Sequence, residues 1–427
     1  MIRFLKKYKI VACFLFVIIF MLPFTIYEPA ESDRIAVVTS IGVDKDSEGF
    51  ELSLNVITPS NQSSTSGGTM GMVKTFSGKG ENITTALSNV SLSMGKTVGL
   101  AHCDSIIVSK EVLQDDVAKI LDYFVRSNNL TNNTHVFVAD KKAKDIIKAA
   151  AQERSNFALT LSNIINYNQM FSLSKNTNVD NFFIDYFSKS GVGIIPVLSS
   201  GPEDKSVSTH VNTNGDNSKQ NSSAESQNSS QQEKQGEQSK PNNEDVVKNE
   251  GKVVVIKKGK MVCELTNDQI ATLNLLSNKT KKGYITAKNI TNKVFENADL
   301  TYEIHNKTIG FSAYFIKDVP VFNIDISLIL QIKEVVTNNE KSYMAINGTT
   351  AFLTDDVKTQ LKKTTHNHLS SIINLMKEKQ VDILRVYQAF NKHETKKWNN
   401  YLANLKNQED FLSNVVFTVN INPEGKI

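Results

Sequence analysis

The feature that most limits how this 427-residue chain can fold is a loss of apolar residues near its middle. Between Gly201 and Glu250 the composition turns into Ser, Asn, Gln, Glu and Lys, and "NSKQNSSAESQNSSQQEKQGEQSKPNNED" has almost nothing to bury. Such a stretch cannot offset its own ordering entropy, so residues 201–250 are expected to form a disordered linker or loop. As a coil it would hold its ends roughly 40 Å apart. Each flank must then build its own core, and 40% apolar residues is enough for two or three domains.

A second apolar feature sits at the front. Arg3, Lys6, Lys7 and Lys9 surround the start of "KYKIVACFLFVIIFMLPFTIYEP", a charge bias that keeps an N-terminus in the cytoplasm and sends the chain beyond the apolar run across a membrane. Residues 1–9 read as a cytoplasmic basic N-terminus and residues 10–27 as a transmembrane signal-anchor. A helix from Tyr8 to Tyr27 would span about 30 Å, the thickness of the bilayer hydrocarbon. The exit, "FTIYEPAESD", lacks the small residues of a cleavage site, because Glu28 stands two positions before Ala30, and Pro23 is tolerated in a membrane helix. Retention is the expectation. Cys13 comes after "IVA", but the apolar core lies beyond it, so it reads as one more small apolar residue of that helix.

Beyond the apolar run the alternation of periods sets the fold class. "DRIAVVTSIGVDKDSEGFELSLNVITP" is a hairpin by its period-two apolar positions, Phe50, Leu52, Leu54 and Val56 among them. Ile83, Ala86, Leu87, Val90 and Met94 then recur at helical spacing, "DSIIVS" reads as a strand, and Val117, Ile120, Leu121 and Phe124 make the next helical stripe. "THVFVAD" and a helix from about Lys141 to Ala151 complete a mixed α/β domain over residues 32–151. Residues 152–200 form a helical middle segment with the aromatics of "NFFIDYF" and a closing strand, "VGIIPVL". Residues 251–427 read as an α+β domain, with the hairpin "GKVVVIKKGKMVCEL", a capping box at Thr266 and Gln269, an antiparallel sheet and a long helix from Asp355 to Lys379. On that helix Val357, Leu361, His368, Ile372 and Met376 are the expected buried side. The fold class is α+β and multi-domain.

Composition excludes several functions. With 48 Lys and Arg against 44 Asp and Glu the net charge is +4, too small for a polyanion-binding footprint, so nucleic acid is not an expected partner. Three cysteines, Cys13, Cys103 and Cys263, rule out a disulfide scaffold, and no Cys-x-x-Cys pair offers a structural zinc site. Whether Cys103 and Cys263 pair depends on a proximity that sequence does not carry.

The motifs that invite chemistry each have a plainer reading. "MGKT" at Met94–Thr97 lacks the earlier glycine of a phosphate loop, with Val90 in its place, and Gly95 is better explained as a helix end. Gly78 and Gly80 in "SGKGEN" could hold an anion on free amides, and a turn before a helix explains them better. His102 and Cys103 adjoin a strand, and because adjacent strand residues point to opposite faces they cannot easily share a proton. His366 and His368 are two apart on a helix, the wrong spacing for chelation. Asp44 with Asp46 and Asp355 with Asp356 read as solvated turn or capping groups. No catalytic, cofactor-binding or metal residue is assigned.

The order of several stretches nonetheless resembles the C subunit of spore nutrient germinant receptors, the GerAC family. The resemblance is carried by the hairpin stretch, by "FSGKGENITTALSNVS" and by "GLAHCDSIIVSKEVLQDDVAKILDYFVRSN". It continues in "PVFNIDISLILQIKEV" and in "VDILRVYQAFNKHETKKW", whose Asp382, Phe390 and Trp398 stand where the family pattern places them. It covers nearly the whole chain beyond the apolar run except the Ser/Gln-rich linker. The resemblance implies a non-enzymatic subunit on the outer face of the spore inner membrane, working with membrane-associated A and B subunits in sensing amino acids, sugars or nucleosides. It implies no cofactor and assigns no ligand residue. The family's lipid-modified cysteine would fall just ahead of "DR", where this chain has "YEPAES", so the tether to the bilayer is expected to be the N-terminal helix itself. Two other readings are an anchored extracytoplasmic cell-wall hydrolase, motivated by location and carboxylates, and a sporulation scaffold.

Overall fold

The computed structural model describes residues 16–17, 34–58, 72–127, 130–152, 177–202, 245–277, 283–292, 295–337 and 353–425. The expected signal-anchor, apart from two residues, and residues 203–244 of the expected linker lie outside them, as does most of the helix expected before Thr177. Among the described residues no helix is long and apolar enough to cross a membrane.

Strands β1 (Ile35–Asp46) and β2 (Gly49–Thr58) form the predicted hairpin, with Val43 opposite Leu52. Strand β3 (Met72–Gly80) lies antiparallel on β2. Helix α1 (Ile83–Met94) comes next, capped at one end by Asn82, which accepts the Thr85 amide at 2.9 Å. Strands β4 (Thr97–Gly99), β5 (Ser105–Ser109) and β6 (His135–Ala139) run parallel to β1 or to one another, with helix α2 (Val117–Ser127) between the last two. Helices α3 (Ala143–Gln152) and α4 (Val179–Phe187) lead to β7 (Val192–Pro202), again parallel to β6. Every residue of β5 is buried, because helices cover both faces of this sheet. Helices α1, α2 and α4 share one core with Val38, Leu54 and Ile106, while α3 packs through Ile146 and Ile147 on Ile107 and Phe137 of the other face.

The sheet does not end at β7. Strands β8 (Asp245–Lys257) and β9 (Lys260–Leu265) add antiparallel to it, so nine strands run in the order β3-β2-β1-β5-β6-β7-β8-β9, with β4 beside β1. The hairpin expected to head the C-terminal domain is therefore the outer edge of the first lobe, and the described part of the middle segment, residues 177–200, belongs to that lobe. Both ends of the expected linker are ladder: Pro202 pairs with Asp245. Alternation identifies a strand but not the sheet it joins, since the choice rests on long-range pairing.

The second lobe is a four-stranded sheet, β10 (Tyr284–Ile290), β11 (Ala298–Ile316), β12 (Val319–Val336) and β13 (Val416–Gly425). Its first three strands are antiparallel as expected, and β13 joins β12 in parallel because the helices between them carry the chain back to the end where β12 began. Helix α5 (Asn267–Leu276) carries the predicted capping box, and α6 (Asp355–Lys379), α7 (Val386–His393) and α8 (Thr395–Ala403) cover one sheet face. The buried line of α6 runs through Val357, Leu361, Thr365, Leu369, Ile372 and Met376. His368 is only half-buried, because the line keeps a spacing of four and passes through Thr365 to Leu369.

Candidate functional site

Each motif that invited chemistry is occupied by structure. Gly95 ends α1 in the left-handed region, φ 66°, and its N–H reaches the Leu92 carbonyl at 3.3 Å. Gly78 and Gly80 are neither turn nor anion cradle. They lie in β3 beneath α1, where a Cβ on Gly80 would stand 2.4 Å from the Ala86 nitrogen, so their lack of a side chain is what lets the helix sit on the strand. Cys103 is buried while His102 is exposed, the Cys103 thiol donates to the Ser105 carbonyl at 3.3 Å, and burial pushes the thiol well above its ordinary range. Cys103 and Cys263 are both free thiols.

Of the first carboxylate pair, Asp46 ends β1 and bonds Lys79 at 2.8 Å, whereas Asp44 is a helix cap in the interior. Asp44 is buried in β1 and accepts the amides of Ala143 and Lys144, each at 2.8 Å, thereby capping α3 from across the sheet. Burial raises its pKa, and those two amides oppose the rise. A solvated turn was expected for this residue, and the difference arises because the hairpin turn begins only after Asp46. Asp356 accepts from Asn292 at 2.8 Å in the first turn of α6, and such bonds hold it below the ordinary carboxylate range.

The strongest concentration of unusual groups is the short strap "QVDILR", Gln380–Arg385, that joins α6 to α7. Both its ends are non-glycine residues in the left-handed region, Gln380 at φ 50° and Arg385 at φ 59°. Asp382 at its centre is buried, accepts the amides of Val386 at 2.7 Å and Tyr387 at 2.9 Å, and is pushed up to about 6 by burial against the pull of those amides. Val381 is fully buried and inserts among Val192, Ile194, Val253 and Val255 of the first lobe. Arg385 donates to Asp185 on α4 at 2.6 Å, and Lys257 of β8 donates to the Gln380 carbonyl at 2.9 Å. Lys258 pairs with Glu409 at 2.5 Å and holds that carboxyl below its usual range. The strap thus fastens the lobes to each other through an apolar plug and charged contacts on its flanks.

Behind the strap the second lobe is braced by aromatics. Trp398 is fully buried, stacked on Phe390 at 4.6 Å and on Tyr401 at 5.1 Å, with Phe411 edge-on at 5.7 Å. Beside the strap an open polar cleft of about 540 Å³ runs between α5 and α6, lined by Gln269, Asn367, Ser370, Ser371, Asn374 and Glu378 among others. Among the described residues no group of three or more His, Cys, Asp or Glu is placed to hold a metal ion. What this geometry supplies is a link between the lobes: the strap carries Val381 into the first lobe and Arg385 to Asp185, and Lys258 with Glu409 adds a pair beside it. Sequence reasoning singled out Asp382, Phe390 and Trp398 by position only. It missed Asp185 and Arg385; Asp185 has one signal, a charge inside the aromatic run "NFFIDYF", and Arg385 shares the short apolar run "VDILRV" with Asp382.

Residues 29–200 match the family described as "Spore germination protein N-terminal domain", and residues 251–424 match the one described as "Spore germination B3/ GerAC like, C-terminal". "Spore germination protein KC" of Bacillus subtilis (strain 168) is 26% identical over 132 residues, 29% of this chain and 32% of that protein. "Spore germination protein A3" of the same organism is 27% identical over 117 residues, 27% of this chain and 31% of that protein. The chain thus spans about a third of the length of these curated relatives. The structure titled "Crystal Structure of the GerBC protein" aligns over 91% of this chain and 97% of that one, at 15% identity and a TM-score of 0.49.

Proposed function

Because the chain belongs to the GerAC family of spore germination proteins, we propose that it is the C subunit of a nutrient germinant receptor, a membrane-tethered component that assembles with A and B subunits and performs no catalysis of its own. The observation that carries this reading is that the two halves of the family match this chain in order, over residues 29–200 and 251–424. The tether is the apolar run of residues 10–27, with the basic N-terminus in the cytoplasm and both lobes on the outer face of the spore inner membrane. A non-catalytic role is supported by what the ionisable groups are committed to. Asp44 and Asp382 cap helices, Asp185 and Glu409 join the lobes, and Cys103 is sealed in the core.

Deleting the gene is expected to slow spore germination in at least one nutrient, with spore morphology intact. Germination unchanged in every nutrient would remove the reading, and malformed spores would favour a scaffold. Release of soluble fragments from purified wall material by the intact chain would favour a hydrolase. The protein is expected in the spore membrane fraction together with its partner subunits, with the apolar run of residues 10–27 retained. Mature protein in the soluble fraction, beginning near Ala30, would remove the tether.

A further inference from the structure

The strap between α6 and α7 lies against the first lobe at both of its ends. The Gln380 carbonyl accepts from Lys257 of β8 at 2.9 Å, Val381 is buried among β7 and β8, and Arg385 donates to Asp185 of α4 at 2.6 Å. Asp382 stands between these contacts and is 3% exposed, with its carboxylate oxygens turned to the Val386 and Tyr387 amides of α7. The first lobe is therefore part of what keeps water from this carboxyl. Gln380 and Arg385, in the left-handed region without being glycine, hold a strain that persists only while their neighbours enforce it. Withdrawing Val381 from the first lobe would relax both ends and admit water to Asp382.

The charges around the strap come from each element packed on it. Helix α6 ends in Lys377, Glu378 and Lys379, and the strap itself carries Arg385. From the first lobe come Asp185 of α4 with Lys257 and Lys258 at the β8 end, and Glu409 lies beside them. Among these Arg385 is the one whose charge bears on Asp382, and its pull is smaller than the effect of burial. Glu409 is held below its usual range by its bond to Lys258, so that pair stays ionised while Asp382 titrates. His366, His368 and His393 stand away from the strap along α6 and α7.

Burial pushes Asp382 up to about 6, against about 4 for an ordinary aspartate. A closed strap keeps a proton that an open, hydrated one releases, so acid favours closure and the preference is lost as pH rises through 6. The difference amounts to about a 100-fold change in the ratio of open to closed forms. We propose that the strap is a pH-sensitive latch: protonated Asp382 keeps Val381 seated in the first lobe, and its ionisation loosens the contact between the lobes. The latch goes beyond the receptor reading and does not depend on it.

Cys263 reports on this junction without a label. It is a half-buried free thiol of β9 packed on the same cluster as Val381, while Cys103 is sealed in the core of the first lobe. In the full chain carrying Cys13→Ser, trapping of Cys263 by a dipyridyl disulfide is followed from about pH 4 to pH 8. Each rate is divided by that of the same chain with Asp382→Asn, so the ionisation of the thiol itself cancels. The ratio is expected to climb by up to about 100-fold between pH 4 and pH 6 and then to level off. Asp382→Ser, whose hydroxyl still caps α7, is a second variant that does not titrate, should the asparagine fail to fold. Val381→Ala, with the carboxyl intact, should speed trapping at every pH and keep the climb. A ratio that stays flat or falls as pH rises overturns the latch. Cys103 reacting together with Cys263 also overturns it, because the first lobe itself is then opening rather than the junction.

Discussion

Asp382 is a buried carboxyl whose two accepted hydrogen bonds do not cancel the loss of water, and its pKa is accordingly raised to about 6. A carboxyl raised above its ordinary value of about 4 prefers to be protonated in the folded chain, so its favourable contribution is present in acid and is lost as pH rises through 6. The loss amounts to roughly 3 kcal/mol at about 1.4 kcal/mol per pKa unit. Asp382→Asn keeps one accepting oxygen and cannot titrate. Denaturant unfolding of the two proteins should show the variant gaining on the parent by about that amount between pH 4 and pH 7. A gap that stays constant with pH would mean that the carboxyl is as well solvated in the folded chain as in the unfolded one. At this scale sequence singled out Asp382 by its position in the resemblance and said nothing of its burial. It also took Asp44 for a surface group, because a charged residue in a strand shows its partner only when the α3 amides are brought to it from elsewhere in the chain.

Local elements were the most legible part of this chain. The capping box at Thr266, the helix end at Gly95 and the bounds of Asp355–Lys379 come from short-range hydrogen bonding and periodicity, which a single stretch of sequence contains in full. The β11–β12 turn is the counter-example. "IKDV" offers no Asn or Gly, yet the chain reverses there with two residues at positive φ. Forcing a non-glycine residue into that region costs roughly 1–2 kcal/mol. Lys317→Asn with Asp318→Gly should therefore raise stability to unfolding by about 1–2 kcal/mol without altering the ladder register. If the substitutions leave stability unchanged in a thermal melt, the turn is not strained.

The whole molecule depends on pairings that no local reading supplies: β8 with β7, Val381 with the first lobe, Arg385 with Asp185. Since Asp185 is nearly buried and Arg385 is half exposed, solvent screens part of their attraction, and a double-mutant cycle with alanine should return a coupling of about 1 kcal/mol. A coupling of zero would make the pair incidental to lobe docking. The mid-chain polar segment gives a sharper test, because the structure redraws its limits. Pro202 and Asp245 are direct ladder partners, so the residues between them can be replaced by a two-residue Asn-Gly turn with no change in the path of either strand. Each halving of the chain length between two ladder partners recovers about 0.6 kcal/mol of closure entropy, so replacing 203–244 should leave the melting temperature unchanged or raise it, by an amount equivalent to at most about 2–3 kcal/mol. Removing 201–250 instead takes away Val246, Val247 and the pairs that join them to Gly201 and Ser200, and buried Val247 leaves the core under α3. That longer deletion should melt well below the parent. If both deletions behave alike, the ladder between β7 and β8 contributes nothing beyond its inner half, and the first lobe ends where sequence composition alone would have ended it.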